Sequence, residues 1–236
     1  MINWKQLSVS IHYCPICSGH RLFVKLNSNE ISIRCFSCRA TSVTLSLVTV
    51  MRAICPELSS MVVYELSSRG PLKEFLKQSS GVLYYSEYFD DVSPGGYSDG
   101  IQCQDVQCLT YPKESFDLCT STEVFEHVPD DVKGFSEMFR VLKPGGIFIF
   151  TVPLDVNNKT TERVIKMLDG DIQYLLDPEY HYDPIRGHEN ILVYRNYGYD
   201  ILDKLKKVGF KKAEFFNPEN NMAWGYSRTV IVAYRE

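Results

Sequence analysis

Cys14 and Cys17 lie in "CPIC", and Cys35 and Cys38 lie in "CFSC". Two thiolates three residues apart can turn toward one point, so two such knuckles predict the tetrahedral sulfur cage that zinc prefers. The segment between them holds "RLFVKL" and "ISIRC", alternating apolar stretches that read as a small hairpin, and the whole reads as a zinc ribbon. Sulfur at all four positions leaves no open coordination site for a water. The expected zinc is therefore structural, in a module too small to bury a core of its own. A second group able to do chemistry is His127 in "FEHV", with His181 and His188 in "DPEYHYDPIRGHEN".

The elements that must position these groups belong to a chain of 236 residues with 44% hydrophobic and 23% charged residues. That length holds one substantial core plus a small module, and the composition is that of an ordinary globular protein. A formal net charge of -4 argues against a surface that grips nucleic acid over a long track. The balance is uneven. Through Ser60, six basic residues (Lys5, Arg21, Lys25, Arg34, Arg39, Arg52) face two acids (Glu30, Glu57), a net of +4 that leaves -8 for the rest. The start, "MINWKQLSVS", lacks the pattern of a signal peptide, and apolar runs such as "GIFIFTVPL" are too short to span a bilayer. The expectation is a cytoplasmic protein without membrane insertion, and cysteine spacing that suits metal better than disulfides fits a reducing compartment.

The pattern predicts a ribbon over 1–44, a linking helix over 45–60 around "TLSLVTVMRAI", and a main domain over 61–236. In the main domain, strands are expected at Met61 to Leu66, Val82 to Ser86, Gly100 to Cys103, Phe116 to Thr120 and Ile147 to Val152, with helices near Pro71 to Gln78 and Asp131 to Leu142. Such alternation implies a mostly parallel sheet with helices on both faces, whose ligands sit at the carboxyl ends of the strands. The tail adds the helix "YDILDKLKKVGF" and the strands "KKAEFF" and "RTVIVAYR", read as an antiparallel edge hairpin. An insert near 155–197 reads as a loop-like lid, with Tyr180, Tyr182 and Asp183 available to face an acceptor.

The block "CQDVQCLTYPKESFDLCTSTEVFEHVPDDVKGFSEMFRVLKPGGIFIFTVP" resembles the centre of class I S-adenosylmethionine-dependent methyltransferases, particularly those with small-molecule or glycan acceptors. Its parts run in order: an acid after strand three, "FDLCTSTEVFEHV" around strand four, a helix ending "RVLKPGG", and the next strand. The resemblance implies a Rossmann-like α/β fold with a seven-stranded sheet, and S-adenosylmethionine as cofactor. It also implies roles by position. Glu65 closes strand one beside the cofactor, Glu87 in "LYYSEYF" accepts from the ribose hydroxyls, and Tyr88 lies near the adenine. Asp105 and the Val106 backbone meet the adenine amino group, while Ser121 and Thr122 border the methionine end. The family's loop after strand one is glycine-rich, whereas here "ELSSRG" offers Ser67, Ser68, Arg69 and Gly70. Serine hydroxyls and a charge-assisted pair from Arg69 can replace backbone donors to the cofactor carboxylate.

Methyl transfer from a sulfonium is an in-line displacement that needs a base only when the acceptor holds its proton tightly. His127 is the first candidate for that base and His181 the second. Three readings follow: methylation of oxygen or nitrogen on a small molecule or glycan, methylation of RNA or protein docked through the basic ribbon, or a non-catalytic scaffold that kept the fold.

Overall fold

The computed structural model describes residues 7–27, 32–167, 170–183, 188–218 and 222–236. Among them no helix is long and apolar enough to cross a membrane. The alternating front segment forms strands β1 (Ser8–Cys14), β2 (Gly19–Lys25) and β3 (Ile33–Cys35), paired antiparallel in that order. Their inner side chains, Cys14, Phe23, Ile33 and Cys35, close a small core with Ala40 and Leu45. Met222 and Ala223, from far along the chain, complete it.

Helix α1 (Ser42–Ile54) starts where the Thr41 hydroxyl accepts from the Thr44 N–H, satisfying one of the orphan donors of a helix start. It does more than link. Leu47, Val48, Val50 and Met51 pack against Val63, Leu118, Ile149 and Val232, so the helix is a layer on one face of the main sheet.

That sheet takes β4 (Val62–Glu65), β5 (Val82–Tyr85), β6 (Phe116–Thr122) and β7 (Leu142–Thr151) as parallel strands. Between them lie α2 (Gly70–Ser79) and α3 (Asp131–Val141). After β8 (Arg195–Gly198) and α4 (Ile201–Lys207), the antiparallel strands β9 (Lys212–Phe216) and β10 (Val230–Tyr234) finish the edge, giving the order β9-β10-β7-β6-β4-β5. Side chains alternate across it: Ile149 belongs to the core under α1 and α2, whereas its neighbours Phe148 and Phe150 stack at 4.3 Å in the core on the other face. Gly134 lets α3 close on that second core, since a Cβ there would stand 2.9 Å from the Phe125 ring.

The sheet has six strands, not the seven expected. Gly100 to Cys103 is the missing one: Ile101–Gln102 pairs with Tyr97–Ser98 in a two-residue hairpin. Cys103 exchanges backbone bonds with Gly95 and Gly96, and only one parallel bridge, Glu87 to Cys103, ties the segment to the sheet. The insert also departs from a loop. It forms a hairpin of Val164–Lys166 with Ile172–Tyr174 and another of Tyr180–Asp183 with His188–Leu192, while Thr161–Glu162 pairs antiparallel with β8.

Arg195, 3% exposed at the start of β8, clamps the segment after β6. It donates to the carbonyls of Phe125, Val128 and Pro129 and to Glu162, and its Nε lies 3.6 Å from Asp131. Asp131 in turn accepts from the Tyr197 hydroxyl and from Lys204, each at 2.9 Å. Removing a buried ion-pair partner strands the remaining charge and carbonyls at a cost of about 3–5 kcal/mol. Arg195→Met is expected to lower unfolding free energy by about that much in urea titrations, and a loss under about 1 kcal/mol, the scale of an exposed pair, would show that the clamp is not holding the segment.

Candidate functional site

The carboxyl ends of β4, β6 and β7 gather buried polar side chains where a parallel sheet binds its ligands. β4 ends at Glu65, 2% exposed, whose carboxyl accepts from the Thr120 hydroxyl on β6. Burial pushes the Glu65 carboxyl up to about 8, with the nearby Glu87 charge adding to the effect. At neutral pH the group is mostly protonated.

The chain then turns through Leu66, Ser67 and Ser68 into α2. Gly70 opens that helix at φ +90, a left-handed conformation that glycine takes without strain. Glu87, 3% exposed just past β5, accepts from the Ser68 N–H at 3.1 Å. The structure thus brings Glu65, Ser68 and Glu87 together. The Ser67 hydroxyl turns back on the Arg69 backbone, and Arg69 is exposed at the N-cap of α2. Tyr88 is 51% exposed.

Asp105 accepts from both the backbone and the side-chain amide of Gln107, and Val106 packs into the core beneath. The last residues of β6, Ser121 and Thr122, are polar positions inside the protein. Their hydroxyls, like that of Ser68, are buried without a hydrogen-bond partner among the described residues. Unpartnered buried hydroxyls cost about 1–3 kcal/mol each, so three at one end of the sheet mark a place built for a polar ligand.

Beyond β6, the Glu123 N–H bonds the Thr151 carbonyl and its carboxylate takes a 2.7 Å bond from Arg228. Glu126 follows, fully buried, and among the described residues neither carboxylate oxygen has a side-chain hydrogen-bond partner. Desolvation, and after it the Glu123 charge, hold it well above the usual carboxylate range. His127 and His181, distant in sequence, meet edge to face with ring centroids 5.0 Å apart. Tyr180 and Tyr182 point largely to solvent, 46% and 59% exposed. The side chains of Asp183 and His188 lie outside the described residues.

Sequence reasoning missed Glu126 and Arg195. Glu126 had a signal, adjacency to His127 in "FEHV". Arg195 had none, because only the fold brings it to carbonyls some 66 to 70 positions earlier.

At the front, Cys14 and Cys38 sulfurs lie 3.7 Å apart and those of Cys17 and Cys35 4.0 Å apart, and all four ligand atoms fall within 4.8 Å of one another. Four sulfurs at 2.3 Å from a tetrahedral zinc stand ~3.8 Å apart. The tetrad fits that ion.

Against known proteins, residues 77–150 match the family model described as a methyltransferase domain. The fold is shared with an S-adenosylmethionine dependent methyltransferase from Mesorhizobium loti, at TM-score 0.50 and 17% identity over 80% of this chain and 98% of that one. DesVI of Streptomyces venezuelae gives TM-score 0.52 and 11% identity over 84% and 94%. The fold is therefore that of the S-adenosylmethionine-dependent methyltransferases.

Among curated proteins, 50 residues are 40% identical to the ubiquinone biosynthesis O-methyltransferase of Coxiella burnetii, spanning 21% of this chain and 21% of that protein. A longer stretch of 140 residues is 29% identical to 24-methylenesterol C-methyltransferase 3 of Arabidopsis thaliana, 57% of this chain and 34% of that protein. The chain thus spans about a fifth to a third of the length of these relatives.

Glu65 generates a pH dependence. Its folded value, about 8, stands above its ordinary value of 4.5, so the folded state favours the proton. The stability this lends is complete below about pH 4.5 and is lost as pH rises through about 8. Glu87, Tyr64 and Cys119 are the titratable neighbours coupled to it. Glu65→Gln, which keeps the shape and cannot ionise, should flatten this limb. Urea unfolding at pH 6 and pH 9 is expected to show wild type losing stability relative to the variant, and parallel losses would place the ionisation elsewhere.

Proposed function

We propose that this protein transfers a methyl group from S-adenosylmethionine to oxygen or nitrogen of a small-molecule or glycan acceptor, with a structural zinc in the front ribbon. The observation that carries this reading is the set of buried hydroxyls without a partner among the described residues, Ser68, Ser121 and Thr122, at the carboxyl ends of the strands in a methyltransferase fold. Bound there, S-adenosylmethionine would supply an electrophilic methyl on a sulfonium.

The chain's own residues would divide the work of holding it. Glu87 accepts from the ribose hydroxyls while fixing the Ser68 N–H, so one carboxylate shapes the loop and reads the sugar. Ser67, Ser68 and Gly70 present short side chains or none to the methionine end, Arg69 at the rim offers a cation to its carboxylate, and Ser121 and Thr122 border it across the sheet. Glu65, buried and mostly neutral in the free protein, would ionise beside the cofactor's ammonium. Tyr88, Asp105 and Val106 border the adenine. His127 and His181 lie past β6, on the side from which an acceptor would enter, and the insert over 155–197 walls that side. The ribbon over 1–44 is a separate structural module in this reading, joined by the helix region 45–60 to the catalytic part over 61–236.

Calorimetry with S-adenosylmethionine and S-adenosylhomocysteine tests the reading, with saturable one-to-one binding expected for both. Glu87→Ala should weaken both by about 2–3 kcal/mol, roughly 30- to 150-fold, from the loss of charged hydrogen bonds. Absence of binding in wild type would leave the scaffold reading standing, and unchanged affinity in the variant would remove Glu87 from the ribose.

For the ribbon, one zinc per chain is expected by elemental analysis of protein purified without added metal. Cys35→Ser should release it and free the remaining thiols to titration. Four thiols that titrate freely in metal-free, folded wild type would refute the zinc.

A further inference from the structure

The segment after β6 and the hairpin of Tyr180–Asp183 with His188–Leu192 bring three side chains to one point. Glu126 Oε1 lies 3.7 Å from His127 Nε2 and 3.8 Å from His181 Nδ1, and one ligand atom from each residue falls within 4.8 Å of the other two. The Glu126 side chain is 1% exposed, and among the described residues neither of its oxygens has a side-chain hydrogen-bond partner.

The far side of each ring is engaged. His127 Nδ1 is 2.8 Å from the Leu192 carbonyl, an oxygen that only accepts, so Nδ1 carries the hydrogen and Nε2 turns a lone pair toward Glu126. His181 Nε2 lies 3.4 Å from Glu179 Oε1, an acceptor that favours the hydrogen on Nε2 and so turns Nδ1 to the Glu126 side. Imidazoles that hold a metal are oriented in this way, their outer N–H given to a carbonyl or carboxylate.

Two lone pairs and a buried carboxyl group aimed at one another form a converging donor set that either a proton or a metal cation can fill. A bridging proton would draw nitrogen and oxygen to about 2.7–3.2 Å. The observed 3.7 and 3.8 Å instead suit a shared ion, since two metal–ligand bonds of ~2.0–2.2 Å can span up to ~4 Å.

We propose that Glu126, His127 and His181 bind a divalent transition-metal cation, separate from the thiol tetrad, at the acceptor side of the site. Two imidazoles and one carboxylate suit zinc, manganese, iron or cobalt and leave coordination positions open. The inference rests on the methyltransferase reading for its role. An acceptor hydroxyl taking an open position would have its proton made more acidic. In the transfer the sulfur–methyl bond breaks with its electron pair going to sulfur, an oxygen lone pair forms the new carbon–oxygen bond, and the hydroxyl proton leaves to solvent. The products are a methyl ether, S-adenosylhomocysteine and one proton. The substrate class is accordingly a hydroxyl-bearing molecule, with nitrogen acceptors disfavoured.

The test is Co2+ titration of the full chain carrying its thiol-bound metal, followed by visible d–d absorption and by elemental analysis after desalting. One Co2+ per chain is expected without the thiolate charge-transfer bands that ribbon binding would give. Glu126→Gln and His181→Ala should each weaken it at least about tenfold, the lower bound for loss of a group that orients or binds a metal. His181 sits on a partly exposed hairpin, so its variant decides the matter if Glu126→Gln fails to fold. No saturable Co2+ binding, or binding untouched by His181→Ala in folded protein, overturns the proposal. Calorimetry with S-adenosylhomocysteine on the same samples separates the two readings. Binding of S-adenosylhomocysteine without Co2+ sinks the cation site alone, and Co2+ bound by this triad without S-adenosylhomocysteine sinks the methyltransferase reading and leaves the cation site standing.

Discussion

Burial of oxygen atoms at one edge of a parallel sheet is the constraint on which the site depends. Glu65, Ser68, Glu87, Ser121 and Glu126 are all withdrawn from solvent, and withdrawal raises the cost of every charge and every unmet hydrogen bond among them. Some of that cost is met internally, by Thr120 for Glu65 and by the Ser68 N–H for Glu87. The rest is not. A site that leaves hydroxyls and a carboxylate unmatched favours ligands bringing donors and positive charge, and S-adenosylmethionine brings hydroxyls, an ammonium and a sulfonium together.

Holding these groups in place falls to parts that do no chemistry. The stacked rings of Phe125 and Phe135 at 4.5 Å, and of Phe148 and Phe150 at 4.3 Å, fix the positions of β7 and α3. Arg195 then ties three carbonyls of the segment that carries Glu126 and His127. One guanidinium fork reinforces the single 3-10 turn of Phe125–His127, the only regular backbone bonding the described part of this connection builds for itself. The cost of burying that charge is offset by Asp131 and Glu162, and Lys204 supplies both acids with a second cation.

What was legible in the sequence follows from the range of the forces involved. The thiol tetrad and the strand–helix alternation are local patterns, and the tetrad's spacing alone placed four sulfurs together. The place of Glu87 just past a strand was legible because a strand end is set by its own residues. The seventh strand was not: Gly100 to Cys103 has the composition of a strand, but it pairs mainly with the preceding Gly95 to Ser98, a partner no periodicity reveals, and meets the sheet through Glu87 alone among the described residues. The layer role of α1 was hidden for a similar reason, since an apolar stretch of its length reads equally as a link or as a buried wall. Glu126 was passed over beside His127 because an acid in a loop is ordinarily solvated, and only the packing of the later hairpin takes it out of water.

The same packing joins the ribbon to the site through seven residues. Met222 and Ala223 sit in the ribbon core, Trp224 lies 4.8 Å from the His12 ring, and the Tyr226 hydroxyl accepts from Lys25. Two residues on, the Arg228 N–H bonds Ser46 of α1 while its guanidinium reaches Glu123. Trp224 holds a left-handed backbone, φ 53, a conformation that a bulky residue keeps only where its surroundings over-determine it. The ribbon supplies those surroundings. The front module therefore fixes one end of a short segment whose other end holds Glu123 just past β6, so its packing braces that end of the sheet as well as closing its own small core.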